Sequence, residues 1–433
     1  MQAHRSINVS DFINTHRVAP FQILIVVLCF LIVAIDGFDT AAIGFLAPAI
    51  RAEWTLTAGQ LAPLFGPLAD KFGRKAVLLF CVFFFGLASL LSAYAPSLWV
   101  LVMLRFLTGL GLGGAMPNSV TLTSEYCPEK HRLFLVTTMF CGFTVGSALG
   151  GLASAHMVEA FGWRSVLLLG GILPLVLLPL MAWKLPESVR YLVMEGRGHD
   201  RVAATLKRIA PRENLDNVAF ALTDKKLNGF PVGHLFRREL FAGTLMLWLT
   251  FFMSLLIIYL LSSWLPTLIK STGVSLKTAS LVTMMFQVGG TLGAIALGWL
   301  MDRFNPHYVL AASYALAGVF IAAIGSLTST PWLVGLAVFA AGFCISGSQV
   351  GANALSASFY PTDCRATGVS WANGVGRIGS VLGSVGGGAM LSMELSLPAV
   401  FLVVGLPALV AGLTMLALGR YRAGHVPAMA LAA

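Results

Sequence analysis

Apolar residues fall in twelve stretches along the chain, divided by short polar turns: 21–47, 57–69, 76–95, 98–123, 133–157, 164–183, 241–263, 278–300, 308–327, 332–357, 368–391 and 398–419. Most are about 20 residues long, the length at which a helix rising about 1.5 Å per residue crosses about 30 Å of hydrocarbon. The runs are continuous rather than alternating, which excludes a transmembrane β-barrel. Six segments, a polar gap and six more segments predict an all-α polytopic membrane protein. Three regions follow: a six-helix half over 1–183, a loop over 184–240, and a second six-helix half over 241–433. Within the loop, HDRVAATLKRIA spaces Val202, Leu206 and Ile209 as a short amphipathic helix.

Composition sharpens this picture. Of the 433 residues 57% are hydrophobic and only 11% are charged, against about a quarter charged in soluble domains. Of the Lys and Arg residues, Arg105 and Arg377 lie inside segments. With a cytoplasmic N-terminus, Arg51, Arg164, Lys270 and Lys277 face outward and all the rest face the cytoplasm. Both termini are therefore expected inside. The net charge of +10 then faces an anionic leaflet and requires no nucleic acid. The first 20 residues are polar and the first apolar run is too long for a signal h-region, so that run is expected to be a retained helix. The six cysteines form no C-x-x-C pair and are expected to be small packing residues.

The halves echo each other. GPLADKFGRK (66–75) follows the second segment and GWLMDRF (298–304) follows the eighth, sharing G-x-L-x-D-[KR]-F. With the six-gap-six layout this supports internal duplication. These elements, with RFLTGLGLGG in the fourth segment and PESVRYL (186–192), resemble the major facilitator superfamily. Within it, DGFDTAAIGFLAPAI, LGGAMPNSVTLTSEY (112–126) and GVGRIG (374–379) are similar to the aromatic acid/proton symporters. The resemblance implies a major facilitator fold in the inner membrane and import of a monocyclic aromatic carboxylate, hydroxybenzoate-like, driven by protons. It also implies alternating access and a gating role for the loop that holds Gly66, Asp70, Gly73 and Arg74. One segment departs from the family pattern. TAGQLAPLFGPLA (57–69) reaches only about 20 Å as a helix, so residues are missing between Leu61 and Phe65.

Charge inside the spans marks the candidate chemistry. Asp36 and Asp39 are three apart in the first segment and share a helix face. Each costs about 2.5 to 3.5 kcal/mol at a bilayer centre on insertion scales, so a use for them is expected. Counted from the ends of their segments, Asp39 and Arg105 lie at matching depth and are expected to pair. Such a pair can brace helices or move a proton. As the deep carboxylates of the sequence, Asp36 and Asp39 are the candidate proton carriers, tuned by Arg105. Arg377 is the basic group deep in the second half, and its guanidinium suits a carboxylate through two parallel hydrogen bonds. Gln287 lies at similar depth and suits a ring hydroxyl; Trp371 and Tyr259 suit stacking or interfacial anchoring. Glu125, within reach of Arg74, and the repeat residues Asp302 and Arg303 complete the expected gate. No Walker sequence, metal cluster or nucleophile–base pair is present, so neither a cofactor nor an enzyme is expected. The expected partners are a small aromatic acid, protons and lipid, for a monomer. Another organic anion, a dicarboxylate or a drug, and a transport-deficient product with a truncated second helix remain the alternatives.

Overall fold

A computed structural model describes residues 6–54, 74–194, 199–213, 215, 218–221, 233, 235–327, 330–360, 364–393 and 395–429. The chain opens with a strand β1 (Ser6–Asn8) and a short helix α1 (Val9–Thr15). The long helices follow: α2 (Pro20–Trp54), α3 (Arg74–Ser92), α4 (Leu98–Tyr126), α5 (Glu129–Phe161) and α6 (Arg164–Lys184). Two short helices, α7 (Val189–Met194) and α8 (His199–Ile209), and a strand β2 (Ala219–Ala221) occupy the central loop. The second set is α9 (Arg238–Lys270), α10 (Leu276–Arg303), α11 (Pro306–Ser326), α12 (Pro331–Phe359), α13 (Arg365–Ser392) and α14 (Leu397–Met429). Among the described residues, ten helices are long and apolar enough to cross a membrane. The short segment expected over 57–69 lies outside the described residues, as do Gly66, Asp70 and Gly73.

Several helices run past their apolar runs. The expected 241–263 is Arg238–Lys270, and the expected 21–47 continues to Trp54. Charged residues at a helix end do not stop the backbone ladder; caps and turns do. Ser97 caps α4 by accepting from the Val100 amide, and Asn305 caps α11 by accepting from the His307 amide, with Pro306 in the first turn.

The described residues fall into two compact units. The first draws on Met1–Asp39, Pro67–Gly146 and Leu167–Lys226. Its core joins α2, α3 and α4 to the loop helices. Val202, Leu206 and Ile209 of α8 are buried there beside Val9, Phe12 and Ile13 of α1. The amphipathic stripe therefore faces protein. β1 pairs in parallel with β2, Ser6 to Ala219 through Asn8 to Ala221, so the N-terminal segment is stitched to the central loop. Helices α2 and α5 meet backbone to backbone: a Cβ at Gly37 would overlap the Phe143 carbonyl.

The second unit draws on Thr40–Gly66, Ser147–Val166 and Leu227–Ala433. Its tightest helix pairs are α10 with α12, α9 with α13 and α11 with α14. The Trp264 indole in α9 donates to the Ser384 carbonyl in α13 at 2.6 Å. At the end of α2, Glu53 accepts from Arg164 at 2.7 Å and from the Trp163 indole at 2.5 Å. The Arg164 and Trp163 donors hold this exposed carboxyl below its usual range.

Gly37→Ala is expected to lower the thermal midpoint of detergent-solubilised protein, because the added methyl forces α2 from α5, an overpacking cost of about 1–3 kcal/mol. Gly298→Ala, where a Cβ meets nothing within 4 Å, is the matched control and leaves the midpoint in place. Equal midpoints for the two variants would contradict the packing described.

Candidate functional site

Asp39 lies within α2, 15 residues before the helix ends at Trp54, and is 0% exposed. Three neighbouring helices surround it. From α4, Arg105 donates Nη1 to Asp39 Oδ1 at 3.0 Å and Nη2 to Oδ2 at 2.5 Å, a two-pronged clamp. Nη2 also reaches the Asp39 carbonyl at 3.2 Å. From α3, the Ser89 hydroxyl donates to Oδ1 at 2.5 Å. From α6, Gly170 leaves space: a Cβ there would sit 3.4 Å from Asp39 Oδ1 and 3.5 Å from Ser89 Oγ. Arg105 is 7% exposed, and its Nε has no hydrogen-bond partner among the described residues. Asp36, one turn earlier on α2, is 6% exposed.

The expected Asp39–Arg105 pair is thus formed, though the helix end used to judge depth was too short. Ser89 and Gly170 escaped the sequence reading. A hydroxyl in an apolar helix commonly bonds its own preceding turn, as Ser92 does to the Ala88 carbonyl at 2.8 Å. Residue type alone does not separate Ser89 from Ser92. Glycine in such a helix is equally commonplace.

In the second unit, Arg377 of α13 is exposed and donates Nη1 to the Tyr259 hydroxyl of α9 at 2.7 Å. Its guanidinium carbon lies 5.9 Å from the Tyr259 ring centroid. Gln287 of α10 is buried, and its Nε2 donates to Ser262 Oγ at 3.3 Å, one turn along α9 from Tyr259. Trp371 is 45% exposed and stacks on Trp248, with centroids 5.9 Å apart and an interplanar angle of 19°. Arg377 and Tyr259 therefore come together directly. Gln287 and Trp371 each have a partner of their own, Ser262 and Trp248.

The expected gate residues are only partly within reach. Arg74 opens α3, and its side chain lies outside the described residues, as do Gly66, Asp70 and Gly73. Glu125 accepts from Ser188 Oγ at 2.5 Å. The neighbouring Glu187 was not singled out in sequence. Its Oε1 accepts from the Lys75 and Ser188 amides, both at 3.0 Å, and so caps the start of α3. The Tyr126 hydroxyl donates to the Glu187 carbonyl at 2.6 Å, and Gln22 Nε2 to the Tyr126 carbonyl at 2.6 Å. The PESVRYL segment thus meets the starts of α2 and α3 and the end of α4 in one polar node. Asp302 and Arg303 are exposed at the end of α10, with the Arg303 guanidinium 4.0 Å over the Trp299 ring.

The chain is similar to known proteins over nearly its whole length. Residues 19–275 and 247–428 match the family model described as the Major Facilitator Superfamily. The chain is 47% identical to the 4-hydroxybenzoate transporter PcaK of Pseudomonas aeruginosa, over 97% of each chain. It is 45% identical to the gallate transporter of Pseudomonas putida, over 98% of this chain and 97% of the relative. Both alignments run over 437 positions, more than the 433 residues here, so these relatives hold residues with no counterpart in this chain. Among solved structures, a D-xylose-proton symporter matches with a TM-score of 0.68 at 17% identity, over 91% of this chain and 97% of that one. At that identity the likeness is one of fold.

Arg105→Met is expected to destabilise the protein by about 3–5 kcal/mol, because it leaves the Asp39 charge buried and uncompensated. Combining it with Asp39→Asn restores most of the loss. Thermal unfolding of the parent, the two single variants and the double variant reads this as a coupling energy. Simple additivity of the single effects would contradict a closed pair.

Proposed function

The chain belongs to the Major Facilitator Superfamily and is a multi-pass membrane transporter, and from that premise we propose that it imports a monocyclic aromatic carboxylate of the hydroxybenzoate class together with protons. The observation that carries the coupling is the clamp of Arg105 on Asp39, fully buried between helices. A proton arriving at Asp39 removes the charge that holds Arg105. The guanidinium is then released, and the helices that the clamp ties together, α2 and α4, are free to shift. Loss of the proton re-forms the clamp. Ser89 holds Oδ1 in the orientation the clamp needs, and Asp36, a turn away on the same helix, is the second carboxylate through which the proton passes.

The substrate reading is supported by the names of the two relatives, whose substrates are both ring-hydroxylated benzoates, and by the chemistry of Arg377. An exposed guanidinium that donates to a phenolic hydroxyl carries the planar fork of N–H groups that suits a carboxylate. The two six-helix halves, 1–183 and 241–433, serve as the duplicated bodies, joined by the 184–240 loop, in an inner membrane with both termini cytoplasmic. The gating roles read from the sequence for Gly66, Asp70, Gly73, Arg74 and Glu125, and for Asp302 and Arg303 of the repeat, are part of this proposal, and Glu187 joins Glu125 around Ser188 in the first unit.

Uptake of radiolabelled 4-hydroxybenzoate into cells producing the chain tests this reading, with succinate as the unrelated anion. The parent is expected to accumulate the aromatic acid under an inward proton gradient and to ignore succinate. Asp36→Asn and Asp39→Asn abolish accumulation. Arg377→Ala raises the half-saturating concentration by about tenfold or more, the loss of a hydrogen-bonded charge pair. Undiminished accumulation by both Asp variants would exclude the proton assignment, and preference for succinate would exclude the substrate class.

A further inference from the structure

An unassigned polar strip runs from Arg377 across α13 and α12. Asn373 is four residues before Arg377 on α13, so the two share a helix face about 6 Å apart along the axis. Asn373 Nδ2 donates to Asn353 Oδ1 at 3.1 Å and to the Val369 carbonyl at 3.0 Å. Both of its hydrogens are used, and its Oδ1 is left without a donor among the described residues. Asn353 Nδ2 donates to the Gln349 carbonyl at 3.1 Å, which leaves its second hydrogen without an acceptor among the described residues. Both asparagines are half-buried. Gln349, one turn earlier on α12, is 8% exposed, and its buried Oε1 has no partner among the described residues. The strip therefore offers an open acceptor and an open donor side by side, with a second unmet acceptor behind them.

We infer that Asn373 and Asn353 read the ring hydroxyl of the substrate. The inference rests on the reading of Arg377 as the carboxylate site. A phenol is the group that matches the open pair, since its O–H donates to Asn373 Oδ1 while its oxygen accepts from Asn353 Nδ2. The spacing fits as well. One helical turn separates the guanidinium from the amides, and a benzene ring with substituents on opposite carbons spans a similar distance. The strip thus selects a para-hydroxylated benzoate over the unsubstituted acid. A site built to bond a hydroxyl discriminates strongly against an analogue that lacks it, because its polar groups are then left unpaired. Gln287, the residue expected from sequence for this task, is turned to Ser262 instead.

Equilibrium binding of 4-hydroxybenzoate, benzoate and 4-fluorobenzoate to the purified full chain in detergent tests the inference. The parent is expected to bind 4-hydroxybenzoate about tenfold or more tighter than benzoate. The fluoro compound, which has no O–H to donate, binds like benzoate. Asn373→Ala removes the acceptor and Asn353→Ala removes the donor. In either variant the preference collapses to about one while benzoate affinity stays at the parent's level. The fluoro comparison needs no variant and reads the same contact if the substitutions disturb folding. A parent that binds 4-fluorobenzoate as tightly as 4-hydroxybenzoate would overturn the inference. So would variants that keep the preference, or that lose all three ligands equally as a mere helix brace would. A parent that binds benzoate and 4-hydroxybenzoate equally sinks the asparagine reading and leaves Arg377 standing. A parent that binds none of them sinks the aromatic carboxylate reading, and the asparagine role with it.

Discussion

A charge held away from water must find its opposite, and in this chain that constraint falls on Asp39 and Arg105. Neither side chain is a group a bilayer tolerates alone. Joined through two parallel hydrogen bonds, with Ser89 as a third donor, they are compatible with full burial. The pair fixes α4 against α2, and Ser89 adds α3. The small residues around it let this happen. Gly37 lets the backbone of α2 approach α5, and Gly170 keeps α6 clear of the carboxylate. Apolar helices alone would pack in many registers, since lipid offers them no competing disadvantage. A charged contact with fixed geometry favours one register.

The same constraint gives the pair two states. A buried ion pair stabilises only while both charges are present, and removal of one is costly. Protonation removes one reversibly. In the proposed function the clamp is thereby a switch whose position follows proton availability, which neither a hydrophobic contact nor a permanent salt bridge would provide. Arg377 contrasts with it. That guanidinium is exposed and donates to the Tyr259 hydroxyl. One arginine is clamped on a buried carboxylate, and the other stands exposed against a tyrosine hydroxyl.

Much of this architecture was legible in the sequence because a bilayer imposes a simple length rule. Eleven of the twelve expected segments coincide with long helices, and the remaining one lies outside the described residues. Helix ends were less legible. Arg238 and Lys270 sit inside α9 because polarity ends an apolar run without ending a helix. The strand pair of Ser6–Asn8 with Ala219–Ala221 was invisible, since three residues carry no periodicity and their partners are far off in sequence. Charged residues stand out against apolar surroundings, which is why Asp39, Arg105 and Arg377 are singled out by sequence. Ser89, Asn353, Asn373 and Glu187 are not. Their roles come from the atoms they face, and uncharged polar residues in helices have too many commonplace uses to signal a site.

The central claim is that a proton enters with the substrate by way of Asp39. Its most direct measure is the pH inside proteoliposomes containing the purified chain and a trapped pH-sensitive dye, with no gradient imposed. External 4-hydroxybenzoate should acidify the lumen above the protein-free background. The Asp39→Asn variant should exchange labelled substrate across the membrane yet leave lumenal pH at background. Substrate entry by the parent without acidification, or acidification that survives in Asp39→Asn, would contradict the account.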